Sequence, residues 1–149
     1  MLDGVVLKMQ YIHGETLPNL IARLEKSSGL SNIETATSKI ISWLRDFYNA
    51  VDIDKTGEIR GDINGRNFVF DDVCYWGVDF EEKVYSVKEK DIGRLIAFIL
   101  TYDPLGTPIK AEFADKLMQL AIQVLQGYYP TFLAMLRQSR ASVRSACPK

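Results

Sequence analysis

Two stretches of this sequence place side chains with useful chemistry at useful spacing. In the first, Gly61-Asp62-Ile63-Asn64-Gly65-Arg66-Asn67 runs into the apolar Phe68-Val69-Phe70, then Asp71-Asp72, then Gly77-Val78-Asp79-Phe80-Glu81. An Asp followed five residues later by an Asn is weak evidence alone. The context sharpens it: Asn67 opens an apolar strand, a tight turn comes next, and the returning strand delivers Asp79. Such a hairpin brings Asp62, Asn67 and Asp79 to one end. Phosphoryl transfer uses a set of this kind, with one carboxylate to orient and deprotonate an alcohol, and an amide and a second carboxylate to hold Mg²⁺.

The second stretch is Asp52-Ile53-Asp54-Lys55-Thr56-Gly57-Glu58-Ile59, which resembles the opening of a calcium loop after a helix. The closing position of such a loop is a bidentate Glu, and here it is Ile63. The segment beyond it also reads as strand rather than as a second helix. A polar turn leaving a helix is therefore the simpler account of residues 52–63, with a calcium-binding loop as the alternative. Between Asp52 and Lys83 nine acidic side chains stand against four basic ones. That balance suits a divalent cation, but also a plainly solvated acidic face.

The elements that must position these residues can be read from periodicity. VVLKMQYI over residues 5–12 reads as a strand running into a turn at His13-Gly14. Thr16 and Pro18 open a helix with Leu17, Leu20, Ile21 and Leu24 on one face, ended by Lys26-Ser27-Ser28-Gly29. Ser31 and Glu34 form a capping box for a longer helix carrying Ile33, Ile40, Leu44, Phe47 and Val51, with Trp43 and Tyr48 as flanking core aromatics. The pieces 67–70 and 74–80 form a β-hairpin. Three helices complete the chain: Lys88 to Thr101, stopped by Asp103-Pro104; Pro108 to Gln126, closed by Gly127; and a last one from Pro130. The expected fold class is α+β and mainly helical, a single domain over residues 1–149 with a small β-hairpin insertion.

Composition narrows the function. With 149 residues, 47% of them hydrophobic and 25% charged, the chain has the balance of one globular domain. A formal net charge of −1 gives no global signal for nucleic acid or an anionic membrane. The tail over residues 137–149 is basic (Arg137, Arg140, Arg144, Lys149) but has no interleaved aromatics, so it reads as a solvated end. The apolar runs are too short to span a bilayer, and MLDGVV is not a signal peptide. Two cysteines, Cys74 and Cys147, suit reduced thiols in a cytoplasmic protein. A single histidine, His13, far from either cysteine, argues against nucleophilic hydrolase chemistry.

GDINGRNFVFDD with the later YWGVDFEE resembles the catalytic loop, hairpin and metal-binding Asp of protein-kinase-like phosphotransferases. The nearest branch is that of aminoglycoside phosphotransferases and choline kinases. YIHGETL resembles the hinge of that branch, and EKDIGRLIAFIL resembles the helix whose early Asp braces the catalytic loop. The resemblance spans about residues 5–104. It implies the C-terminal lobe of a kinase-like fold, with residues 1–12 a remnant hinge strand and the N-lobe absent from the chain. It further implies Asp62 as general base, Asn67 and Asp79 as metal ligands, Asp91 as the brace, and Mg²⁺ and ATP as cofactors, weakly held by this chain alone. Glu81 is an auxiliary candidate for the metal.

Departures from the family pattern matter here. Arg60 stands where the family generally has His, a change expected to unsettle the packing of the loop. There is no glycine-rich loop, strand lysine or partnering helix glutamate, and Lys8 lies too close to the hinge to serve as that lysine. Two functions from different classes are compatible with this pattern. One is Mg-ATP-dependent phosphoryl transfer to a hydroxyl of a small molecule or protein. The other is a non-catalytic, kinase-derived binding or assembly module. In either case the exposed hinge edge invites self-association or a partner that covers it.

Overall fold

Leu17, Leu20, Ile21 and Leu24 recur at helical spacing, and in the computed structural model all four are buried along one helix. The structure describes residues 8, 10–27, 31–80 and 83–125. The elements in chain order are β1 (Glu15–Thr16), α1 (Leu17–Ser27), α2 (Ser31–Ala50), a one-turn α3 (Ile53–Thr56) and β2 (Glu58–Ile59). A 3₁₀ turn at Gly65–Asn67 comes next, then β3 (Phe68–Phe70), β4 (Tyr75–Gly77), β5 (Val84–Tyr85), α4 (Lys88–Thr101) and α5 (Pro108–Leu125). The class is α+β and mainly helical.

The core is built where the helical stripes meet. Ile33, Ile40, Ile41 and Leu44 of α2 and Ile92, Leu95, Ile96 and Ile99 of α4 are buried, and α5 packs Phe113, Ala114 and Leu117 among them. Each of the Ile, Leu and Phe side chains contributes about 1.5–3 kcal/mol on leaving water. Lys110 is buried at the start of α5, where its ammonium donates to the carbonyl oxygens of Tyr102 (2.6 Å) and Pro104. Those carbonyls lie just past the end of α4, so a cation there also meets the negative end of that helix.

Two small sheets cover one end. In the first, β3 lies between β1 and β4, both antiparallel, with Glu15 opposite Phe70 and Phe70 opposite Tyr75. In the second, β2 pairs with β5. Trp43 of α2 stacks on Phe47 at 5.7 Å and meets Phe68 edge-on at 5.1 Å, joining helix to hairpin. A side chain at position 77 would collide with the Trp43 indole, which is why glycine occupies the end of β4.

The hairpin over β3 and β4 is turned by Asp71. Its carboxylate accepts from the backbone N–H groups of Cys74 (2.8 Å) and Val73 (3.0 Å) and from the Trp76 indole (2.6 Å). The Cys74 N–H first, then the indole and the Val73 N–H, hold the carboxyl down at about 2. Because the native value lies below the unfolded one, the stabilisation is complete above the ordinary carboxylate range and is lost as pH falls toward about 2. Asp71→Asn is therefore expected to flatten the acid limb of thermal stability between about pH 4 and 2. An acid limb identical to that of the wild type would assign no role to this turn.

Residues 10–12 carry no strand, contrary to the expectation for 5–12, and residues 1–7 and 9 lie outside the described residues. Strand propensity is realised only with a pairing partner, and Tyr11 is 76% exposed. Among the described residues pairing begins at Glu15. The helix expected from Pro130 and the basic tail 137–149 also lie outside the described residues. Among the described residues no helix is long and apolar enough to cross a membrane.

Candidate functional site

The Asp62 loop leaves β2 and is held from beneath by α4. Asp91, fully buried in the first turn of α4, accepts from the backbone N–H of Arg60 (2.8 Å) and of Gly61 (3.0 Å). The Tyr48 hydroxyl of α2 donates to the same carboxylate at 3.0 Å. Arg94, one turn further along α4, donates to the Gly61 carbonyl at 2.7 Å. Both sides of the Arg60–Gly61 backbone are thus tied to one helix. Gly61 has φ 76°, a region costing other residues about 1–2 kcal/mol, and a Cβ there would run into Val84 of β5.

Burial raises the Asp91 carboxyl, opposed by the N–H groups of Arg60 and Gly61, the Tyr48 hydroxyl and the Arg94 charge. Burial first, then Asp91, also push the Tyr48 phenol upward.

Asp62 and Asn67 are brought together directly. The Asn67 amide donates to the Asp62 carboxylate at 2.9 Å, and the Asn64 amide donates to the other carboxylate oxygen at 3.0 Å. Asn64 also caps the 3₁₀ turn by accepting from the Arg66 N–H at 2.9 Å. The turn explains the five-residue spacing, because it folds Asn67 back over the loop that carries Asp62. Asn67 is 8% exposed and lies beneath, whereas Asp62 is exposed to solvent.

Asp79 arrives by the hairpin. The Val78 N–H donates to the Asn67 carbonyl at 3.0 Å, so the residue after it stands beside the Asn67 backbone. Asp79 is exposed and has φ 62°. Among the described residues its carboxylate takes no hydrogen bond, and it is linked to the loop through its backbone. The available donors, the Asn67 amide oxygen and the Asp79 carboxylate, are hard oxygens of the kind Mg²⁺ prefers. Among the described residues no group of three or more His, Cys, Asp or Glu side chains is disposed to hold a metal.

Arg60 was expected to unsettle the loop and instead ties it. Its guanidinium donates to the carbonyl oxygens of Val78 and Asp79, both at 2.6 Å, and lies 4.1 Å over the Phe80 ring. Sequence reasoning also missed Tyr48 and Arg94 as loop supports. Tyr48 read as core because its spacing is helical, and its hydroxyl partner lies 43 residues away. Arg66 is exposed, with its guanidinium 5.6 Å from the Tyr102 ring. His13 is exposed and edge-on to Tyr11, and Lys8 is exposed. Glu81 and Glu82 lie outside the described residues.

The calcium-like run folds differently from a ligand loop. Asp52 adopts the left-handed region, Ile53–Thr56 form α3, and Gly57 closes it. The Asp52 carboxylate pairs with Lys55 at 2.5 Å, and the Thr56 hydroxyl donates to Val51 O at 3.0 Å while accepting from the Glu58 N–H at 3.0 Å. These contacts are internal to a polar turn leaving α2. Comparison with protein families, with curated proteins and with solved structures finds no match to this chain.

Proposed function

We propose that this chain is the acceptor-side lobe of a kinase-like phosphotransferase, which passes the γ-phosphate of ATP to a hydroxyl of a small molecule or protein. The observation that carries the proposal is the bonded Asp62–Asn67 pair, on a loop held by Asp91, with the hairpin returning Asp79 beside it. Asp62 is exposed, and two side-chain amides fix its orientation while leaving lone pairs on both oxygens. It orients the acceptor hydroxyl. As that oxygen bonds to phosphorus, the bond from phosphorus to the bridging oxygen of ADP breaks and the hydroxyl proton passes to Asp62. Asn67 and Asp79 would hold Mg²⁺, which when bound supplies positive charge against the phosphate oxygens.

A second reading is a non-catalytic binding or assembly module, which one surface feature favours. The exposed Tyr11 in the hinge-like segment suits a partner on that side.

Calorimetric titration separates these readings from the calcium alternative. The expected result is a Mn²⁺ or Mg²⁺ isotherm that weakens at least about tenfold in Asp79→Asn and survives in Asp54→Ala. A Ca²⁺ isotherm lost in Asp54→Ala but kept in Asp79→Asn would transfer the site to residues 52–63. Absence of any Mg²⁺ or Mn²⁺ response would favour the binding module.

A further inference from the structure

We propose that Arg60 is the positioning residue that sets the Asp79 carboxylate against the Asp62–Asn67 loop, acting through the Val78–Asp79 backbone. This rests on the phosphotransferase reading and adds to it a resident cation at the position where the resembled family generally has histidine.

The geometry is specific to arginine. One terminal nitrogen carries two hydrogens, and each is directed to its own carbonyl, that of Val78 and that of Asp79. The flat guanidinium then lies on the Phe80 ring. The other end of the residue is equally fixed, since its backbone N–H belongs to Asp91. Arg60 is 3% exposed, so these partners replace the water its charge has lost. Burial pulls the guanidinium downward, and the carboxylates of Asp62, Asp79 and Asp91 oppose that pull, so the group stays charged.

What it holds needs holding. Asp79 sits at φ 62°, a conformation that persists in a non-glycine residue only where surrounding contacts impose it. The Val78 N–H to Asn67 bond secures one side of this segment, and Arg60 secures the carbonyls. A backbone pinned this way fixes where the Asp79 Cα–Cβ bond points, so the exposed carboxylate samples only the rotamers open at that one place. A lysine could donate to these carbonyls but could not stack, and a neutral histidine has a single donor.

The test uses Mn²⁺ as the probe, with the wild type, Arg60→Lys, Arg60→Met and Phe80→Leu. Bound Mn²⁺ is followed by its electron paramagnetic resonance signal, and amide exchange is followed at Val78, with Leu44 and Leu95 as core references. The expected result is Mn²⁺ binding weakened at least about tenfold in Arg60→Met, with smaller losses in Arg60→Lys and Phe80→Leu. Val78 should exchange at least about tenfold faster in Arg60→Met while Leu44 and Leu95 keep their wild-type rates. Should Arg60→Met fail to fold, the graded losses in the other two variants decide the matter. Wild-type affinity for Mn²⁺ in the folded Arg60 variants would overturn the positioning role and leave the phosphotransferase reading standing. A wild type that binds no Mn²⁺ through Asp79 would overturn that reading and the positioning role with it.

Discussion

Asp91→Ala is expected to lower the stability of the fold by roughly 3–5 kcal/mol, the range for removing one partner of a buried charged network. The change strands two buried donors, the N–H groups of Arg60 and Gly61, and leaves the Tyr48 hydroxyl only the Lys88 carbonyl at 3.5 Å. Each costs about 1–3 kcal/mol unpaired, less whatever water recovers. Tyr48→Phe removes one donor together with its need for an acceptor, so about 1 kcal/mol is expected there. Denaturant unfolding of the two variants checks both values. A loss below about 1 kcal/mol in Asp91→Ala would mean that water replaces the carboxylate and that the loop does not depend on α4. The same residue makes stability depend on pH with the opposite sign to Asp71. Burial raises the Asp91 value, so the native state holds the proton more tightly than the unfolded chain. That contribution is full below the ordinary carboxylate value and declines as pH rises through the raised one. Asp91→Asn should remove this decline while losing part of the bonding, because an amide has one acceptor oxygen for three donors.

The helices were legible because burial leaves a periodic trace. The α4 boundaries at Lys88 and Thr101 agree with the reading from its apolar stripe and the Asp103-Pro104 stop, and the Pro108 start of α5 agrees as well. The hairpin was legible for the same local reason, since Asp71-Asp72 separates two short apolar runs. Long-range pairings leave no such trace. Nothing near Glu15 announces that it will lie opposite Phe70, and β2 and β5 are two residues each, too short for any alternation. The strand expected at 5–12 shows the converse. Its β-branched and aromatic residues have the propensity, yet residues 10–12 find no pairing partner among the described residues and form no strand.

The site divides along the same line. Asp62 and Asn67 lie five residues apart, and a single 3₁₀ turn brings their side chains into contact, so local spacing together with the hairpin that follows could point to the pair. Arg60 could not be read this way. A charged residue in a loop is ordinarily solvated, and this one is buried because carbonyls 18 and 19 residues later turn toward it. Its burial is a property of the closed hairpin and has no local signature.

The 149-residue chain by itself is expected to turn over ATP poorly or not at all, despite carrying Asp62, Asn67 and Asp79. Phosphoryl transfer owes its rate to positioning and to charge stabilisation more than to one strong base. On the proposed reading the acceptor side is in place: Asp62 is fixed by two amides, Asn67 lies beneath it, and Asp91 holds the loop. The sequence offers no glycine-rich loop or matching lysine to align the β- and γ-phosphates with the acceptor. Nucleotide should therefore bind weakly, and the γ-phosphate should sample many orientations, each less reactive than the in-line one. A combined loss of about 4 kcal/mol would slow transfer about a thousandfold. The assay is ATP hydrolysis and transfer by the purified chain against Asp62→Ala, run over a range of protein concentrations. Little difference between the two at low concentration is the expected result. A rise with concentration that depends on Asp62 would show a second copy completing the nucleotide side over the hinge-like segment. Robust turnover by the monomer, lost in Asp62→Ala, would contradict the expectation and show that the described loop and hairpin suffice to align the phosphate.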